Sequence, residues 1–195
     1  ADANALRHKL EGAAKVAAEY SKIPIINGGT GAQEHPTQAL IDLYTIQKEK
    51  NQIDNLKIAI IGDLRYGRTV DSLARALTNY NVELHLVSPE TLKMQDEILK
   101  EVKSKIPVTE QTNIEEIINQ IDVLYVTRIQ KERFPDPAEY AKLKGTYRID
   151  LNTIKTAKKD LIILHPLPRV DEIAPEVDNT SHAKYFQQVG NGLVV

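Results

Sequence analysis

Short continuous apolar runs alternate with helically spaced stretches along most of this chain. Lys57–Ile61, Val82–Val87, Pro107–Thr109, Val123–Val126 and Leu161–Leu164 are dominated by Val, Ile and Leu, the signature of strands buried on both faces. Between them, Thr69–Tyr80, Leu92–Lys103, Ile114–Asn119 and Pro137–Lys144 have helical periodicity. Strand–helix alternation of this kind predicts right-handed crossovers and an α/β fold: a doubly wound, Rossmann-like parallel sheet.

The first fifty residues have a different pattern. Ala3–Leu6 and Ile23–Ile26 are predicted as short strands flanking an alanine-rich helix, Leu10–Tyr20. Asn27-Gly28-Gly29 ends the second strand, and His35-Pro36 opens a helix to about Lys48. Proline suits the first helical position, where its missing N–H costs nothing. A domain boundary is expected near residue 50. Residues 51–195 then form one α/β domain. Residues 1–50, with too few strands for a sheet of their own, form the carboxyl-terminal portion of a second α/β domain plus a linking helix.

Polar clusters fall where such a sheet binds ligands, beyond the carboxyl ends of strands. Gly62-Asp63-Leu64-Arg65-Tyr66-Gly67-Arg68-Thr69 joins a strand to a helix start, with Arg65 and Arg68 adding positive charge. Thr127-Arg128-Ile129-Gln130 follows Val123–Val126, and His165-Pro166-Leu167-Pro168-Arg169 follows Leu161–Leu164. A flavodoxin-like strand order is expected to set these three strands side by side, so that the clusters line one crevice. Outside the sheet, His35, Gln38 and Asp42 share a helix face near its amino end, and Arg7 and His8 follow the first strand. Guanidinium groups and helix amino ends together predict an anion as guest.

Bulk composition narrows the field. A net charge of −2 gives no general attraction to nucleic acid or to an anionic membrane, so anion specificity must be local. No apolar stretch approaches membrane-spanning length. The absence of cysteine excludes disulfides, thiol nucleophiles and thiolate metal sites, and fits a cytoplasmic setting. No His, Asp or Glu spacing predicts a metal. The Gly62–Thr69 segment nearly matches a nucleotide phosphate loop, but Arg68 stands where that loop needs lysine, and the later strands do not end in a magnesium-holding acid. The dinucleotide fingerprint G-x-G-x-x-G is missing at this turn.

His35-Pro36-Thr37-Gln38-Ala39-Leu40-Ile41-Asp42 resembles the carbamoyl phosphate motif of the transcarbamoylases. Gly62–Val70, Thr127–Arg133 and His165–Ile173 resemble the aspartate carbamoyltransferase catalytic chains, as do Arg7-His8, Glu11-Gly12-Ala13-Ala14 and Tyr185-Phe186-Gln187-Gln188, all in the family's order. The resemblance implies transfer of a carbamoyl group from carbamoyl phosphate to L-aspartate, a step of pyrimidine biosynthesis, with no cofactor and no metal. It implies that Arg7, His35 and Gln38 hold carbamoyl phosphate, with Arg7 and His35 at the carbonyl oxygen. The carbonyls of Leu167 and Pro168, in a turn that is cis in the family, would accept from the carbamoyl amide and the amine. Arg68, Arg128 and Gln130 would grip the aspartate carboxylates.

Ornithine carbamoyltransferase is the neighbouring alternative. Its cationic substrate calls for carboxylates where this chain has arginines, and its members usually carry a cysteine where Pro166 stands. The resemblance also implies a homotrimer, in some members joined by regulatory chains. It further implies a Ser-Thr-Arg-Thr phosphate loop, a mobile loop from a neighbouring subunit and a closing helix. This sequence contains no Ser-Thr-Arg-Thr string. The chain is therefore expected to be a fragment, inactive by itself, with a non-catalytic substrate-binding or folding module as the competing reading.

Overall fold

The computed structural model describes residues 1–31, 34–129 and 147–195. It contains two parallel sheets. In the smaller one, β1 (Asn4–His8) pairs with β2 (Ile25–Thr30) across helix α1 (Ala13–Tyr20). The amino-terminal segment thus does form a sheet, of two strands, contrary to expectation. Its register shifts between Leu6 and His8, opposite Gly28 and Gly29, and the extra residue falls on the glycine pair. Such an irregularity re-aims neighbouring side chains, and Arg7 is the residue at the shift.

The larger sheet contains β3 (Lys57–Ile61), β4 (Glu83–Val87), β5 (Val108–Gln111), β6 (Val123–Val126) and β7 (Ile162–Leu164) in the order β5-β4-β3-β6-β7, all parallel. Counted within this sheet the order is 3-2-1-4-5. That is the Rossmann arrangement and not the flavodoxin one, yet it sets the first, fourth and fifth strands side by side, as the site hypothesis requires.

Alternate residues of each central strand feed opposite cores, as the strand period of two dictates. Ile58, Ile60, Val123, Tyr125, Ile162 and Leu164 pack with Ile46, Leu73 and Leu77 on one face. Ala59, Ile61, Leu124, Val126 and Ile163 pack with Ile117, Ile118, Ile149 and Ile173 on the other. The first core is roofed by α2 (Pro36–Lys50), α3 (Arg68–Leu77) and α4 (Asp96–Lys103).

Two helical stretches depart most from the pattern read from the sequence. The Leu92–Lys103 stretch turns helical only at Asp96, where Asp96 and Glu97 occupy the first turn and complement the positive helix end. Ile114–Asn119 forms turns and a short 3-10 segment, Ile118–Gln120, in place of an α-helix. Its isoleucines Ile114, Ile117 and Ile118 are buried as a plug beneath the sheet, and so short a β-branched run gains little from helix propagation. The helix expected over Pro137–Lys144 lies outside the described residues.

Gly62, directly after β3, has φ of +120°, and a Cβ there would lie 2.4 Å from the Thr127 carbonyl oxygen. The turns after β3 and β6 can approach this closely only because position 62 has no side chain. Gly62→Ala is expected to destabilise the chain by about 2–4 kcal/mol, combining backbone strain with the clash. Urea unfolding followed by circular dichroism measures this; a loss under about 0.5 kcal/mol, the range of neutral surface changes, contradicts the account.

Candidate active site

A cavity of about 440 Å³ opens beyond the carboxyl ends of β3, β6 and β7. Arg7, His35, Gln38, Gly67, Arg68, Thr69, Thr127, Arg128, Pro166, Leu167 and Pro168 line it. The expected site residues Arg7, His35, Gln38, Arg68, Arg128, Leu167 and Pro168 therefore meet in one hollow. Gln130 lies outside the described residues. Gly67, Thr69, Thr127 and Pro166 join the lining, each a sequence neighbour of a residue already named.

Two helices present their amino ends here. His35 precedes Pro36 at the first position of α2, and Gly67 precedes Arg68 at the first position of α3. The two ends are stitched together by the His35 backbone N–H, which donates to Ser72 Oγ at 2.9 Å. Arg68 Nη1 donates to the Gly31 carbonyl at 3.0 Å, tying α3 to the segment after β2. Gly29, with φ of +115°, brings bare backbone against both the Arg68 guanidinium and the His35 ring. Three guanidiniums and two positive helix ends face a hollow with no carboxylate in its described lining. The electrostatic preference for an anionic guest follows directly.

His35 is held neutral in this field. Burial, then the charges of Arg68 and Arg7, depress its pKa to about 4. A neutral imidazole donates through one ring nitrogen without adding a fourth cation. Thr37 Oγ1 lies 3.3 Å from His35 Nδ1; with the hydroxyl as donor, the ring proton resides on Nε2.

The turn after β7 is built from within. The Leu167–Pro168 peptide is cis and Leu167 has φ of +46°. The Leu167 N–H donates to His165 Nδ1 at 2.8 Å, and His165 Nε2 lies 2.7 Å from Glu172 Oε1. His165 is thus buried behind the cavity wall, not in it. Arg169 likewise turns away to pair with Asp178 and Tyr185.

Three further residues of the predicted clusters lie outside the lining. Arg65 does not add its charge to the cavity: it stacks over Tyr66 and lines a separate hollow with Glu90 and Lys93. The Gly62–Thr69 turn folds around Asp63, whose Oδ1 accepts from the N–H groups of both Arg65 and Tyr66, and this directs Arg65 outward. His8 is not in the lining; its Nδ1 accepts from the Leu10 N–H at 3.0 Å. Asp42 shares the helix face of Gln38 but is fully buried beneath it, accepting from Gln38 Nε2 at 2.8 Å.

Comparison with known proteins decides the family. The model for the aspartate/ornithine carbamoyltransferase Asp/Orn binding domain matches residues 54–195, and that for the carbamoyl-P binding domain of the same enzymes matches residues 1–48. The chain belongs to the aspartate/ornithine carbamoyltransferase family. The aspartate carbamoyltransferase catalytic subunit of Nitrosopumilus maritimus is 58% identical over 98% of this chain and 62% of its own length. The catalytic subunit of M. jannaschii aspartate transcarbamoylase superposes with a TM-score of 0.90 at 52% identity, over 99% of this chain and 63% of its own. Trypanosoma cruzi aspartate transcarbamoylase, solved with N-(phosphonacetyl)-L-aspartic acid, superposes at 0.92 with 37% identity, again over 99% and 63%. The chain thus spans a little under two thirds of the relatives it matches. Among the described residues, no helix is long and apolar enough to cross a membrane.

If the cavity field sets the His35 titration, its ring should protonate with a midpoint near pH 4 in a ¹⁵N-detected NMR titration. Arg68→Gln should raise that midpoint only part way toward the usual histidine value, because burial is the larger cause. A wild-type midpoint above 6 contradicts the electrostatic reading of the site.

Proposed function

We propose that this chain carries the aspartate-recognising and carbonyl-polarising parts of an aspartate carbamoyltransferase. The reaction is transfer of the carbamoyl group of carbamoyl phosphate to the amino group of L-aspartate, giving N-carbamoyl-L-aspartate and phosphate. The observation that carries this reading is the cavity lining: three arginines and a neutral histidine, with no carboxylate among its described members.

In this reading carbamoyl phosphate enters first, against Arg7, His35 and Gln38. Arg7 and His35 donate to the carbonyl oxygen, which gains negative charge as the amine attacks; donors placed for that charge lower the barrier more than they stabilise the ground state. Arg68 and Arg128, with Gln130, bind the two carboxylates of aspartate, and paired guanidinium–carboxylate contacts fix where its amine lies. The Leu167 and Pro168 carbonyls accept from the carbamoyl NH₂ and the incoming amine. Collapse of the tetrahedral intermediate breaks the carbon–oxygen bond to phosphate, and the departing phosphate accepts the amine proton.

Support for aspartate over ornithine comes from the arginines, which suit a dicarboxylate and repel a diamino acid. The T. cruzi relative has also been solved with carbamoyl phosphate and aspartate together. The same reading divides the chain near residue 50, with Arg7, His35 and Gln38 before the division and the arginines for aspartate after it. It extends to the homotrimer and regulatory chains of the resemblance, to which the exposed apolar residues Leu10, Val16 and Tyr20 on the amino-terminal segment are suited. The lack of cysteine accords with a cytoplasmic location.

Calorimetric titration of the 195-residue chain tests the assignments. Arg128→Ala should weaken aspartate binding, at saturating carbamoyl phosphate, by about tenfold or more, the value of a charged hydrogen bond. Carbamoyl phosphate affinity should stay within about twofold, well under that value. Equal weakening of both places Arg128 wrongly. Turnover by these residues alone should be negligible, since the Ser-Thr-Arg-Thr string implied for the phosphate is absent from the sequence. Carbamoyl-aspartate formation at about 10 s⁻¹, an ordinary enzyme rate, refutes that.

A further inference from the structure

Behind the cavity runs a continuous set of hydrogen bonds that joins its opposite walls. It begins at Gln38 on α2, whose Nε2 donates to Asp42 Oδ1 at 2.8 Å. The same oxygen accepts from Gln188 Nε2 at 2.7 Å, across 146 residues of sequence. Gln188 lies on α5 (Tyr185–Asn191), and its Oε1 accepts from the His165 backbone N–H at 2.8 Å. His165 Nδ1 then accepts from the Leu167 N–H, the residue that lines the far wall. Because Nδ1 is an acceptor, the ring proton sits on Nε2 and is donated to Glu172 Oε1. Glu172 Oε2 closes the turn by accepting from the Val170 and Asp171 N–H groups at 3.0 Å each. Asp42, His165 and Gln188 are each no more than 1% exposed.

We propose that Asp42, Gln188 and His165 are positioning residues that couple the two walls of the cavity. They set the Gln38 amide and the Leu167 turn in one fixed register toward the carbamoyl end of the substrate. The inference rests on the assignment of Gln38 and Leu167 to carbamoyl phosphate given above. A plain packing role would be filled by any side chain of the right volume at position 188. The geometry demands more: a donor toward Asp42 and an acceptor toward His165 from one planar group, which an amide supplies and neither a carboxylate nor a hydrocarbon does. Leaving either end unmet strands a buried polar group. Burial pushes the Asp42 carboxyl up to about 7, opposed by the hydrogen bonds from Gln38 and Gln188, so both amides are engaged in keeping it ionised.

Exchanging donor and acceptor tests the coupling. At pH well above 7, where both carboxyls are ionised, Gln188→Glu sets a carboxylate against the Asp42 carboxylate; adding Asp42→Asn restores a donor–acceptor pair with the roles reversed. In the ligand-free chain, Gln188→Glu should shift the Gln38 side-chain amide resonances. It should also speed hydrogen exchange of the Leu167 N–H by about tenfold, the loss of roughly one hydrogen bond. The double variant should recover Leu167 exchange to within about threefold of wild type, with the bond at position 188 again made, whereas the Gln38 amide, whose acceptor oxygen has become a donor, should stay shifted. Gln188→Met, of similar volume but without hydrogen bonds, should behave as the single variant does. If neither single variant folds, recovery of the fold by the pair supports the coupling and its failure overturns it.

Wild-type behaviour at Gln38 and Leu167 in either folded single variant overturns the coupling. Carbamoyl phosphate titration provides the second arm: Gln188→Met should weaken binding by about tenfold, on the same one-bond basis. No binding by the wild-type chain would count against the cavity's assigned substrate, while the exchange and resonance measurements would still decide the coupling.

Discussion

Parallel pairing of β3 with β6, and of β6 with β7, forces three chain reversals onto one edge of the sheet. Everything proposed for the cavity depends on that adjacency. The close approach of Gly62 to Thr127 locks the first two reversals together, and Thr127 reinforces it by donating from both its backbone N–H and its hydroxyl to the Ile61 carbonyl. Once these reversals are fixed, Arg68 at the head of α3 and Arg128 after β6 have little freedom to be anywhere but the same rim. The α2 amino end then closes the hollow through the His35–Ser72 bond. Positive charge is concentrated there by geometry, while the molecule as a whole carries −2.

The interior accepts an electrostatic cost for this arrangement. Burial raises the carboxyls of Asp42 and Asp71 to about 7 each, and Asp63 adds like-charge repulsion at Asp71. An acid whose folded pKa lies above its unfolded value holds its proton more tightly when folded. Its contribution to stability is therefore greatest at low pH and is lost as pH rises from about 4 toward 7. His35 acts in the opposite sense: its depressed pKa removes stability as pH falls through the histidine range, because the unfolded chain takes up the proton first. The carboxyl beneath Gln38 and the imidazole in the cavity wall thus each cost stability in part of the pH range, as expected where function rather than stability has chosen the residues.

Much of this was legible in the sequence, and unevenly so for physical reasons. Lys57–Ile61 and Val123–Val126 were read to the residue because fully buried strands announce themselves as unbroken apolar runs. The end of α3 was overextended: Thr78, Asn79 and Tyr80 keep helix-like composition but close by turn bonds. The Ile114–Asn119 stretch has the pattern of a helix it does not form, because buried isoleucines at helical spacing look alike in a helix and in a plug. Arg65 lies away from its expected place because composition cannot reveal that Asp63 curls the turn and sends this arginine outward. The Asp42–Gln188 contact was invisible as a contact, because nothing local ties two polar residues so far apart in the chain. The motif resemblance points to what periodicity cannot, the two substrates proposed for the cavity.

One cavity, assembled from five separate stretches of chain, is proposed to bind a phosphate-bearing group and a dicarboxylate side by side. Titrating the ¹⁵N-labelled chain with N-(phosphonacetyl)-L-aspartic acid, which joins both groups in one molecule, tests it most directly. Resonances of Arg7, Gln38, Arg68, Arg128 and Leu167 should shift together along a single saturable curve. Saturable shifts confined to one of these stretches, or located elsewhere on the molecule, would contradict it.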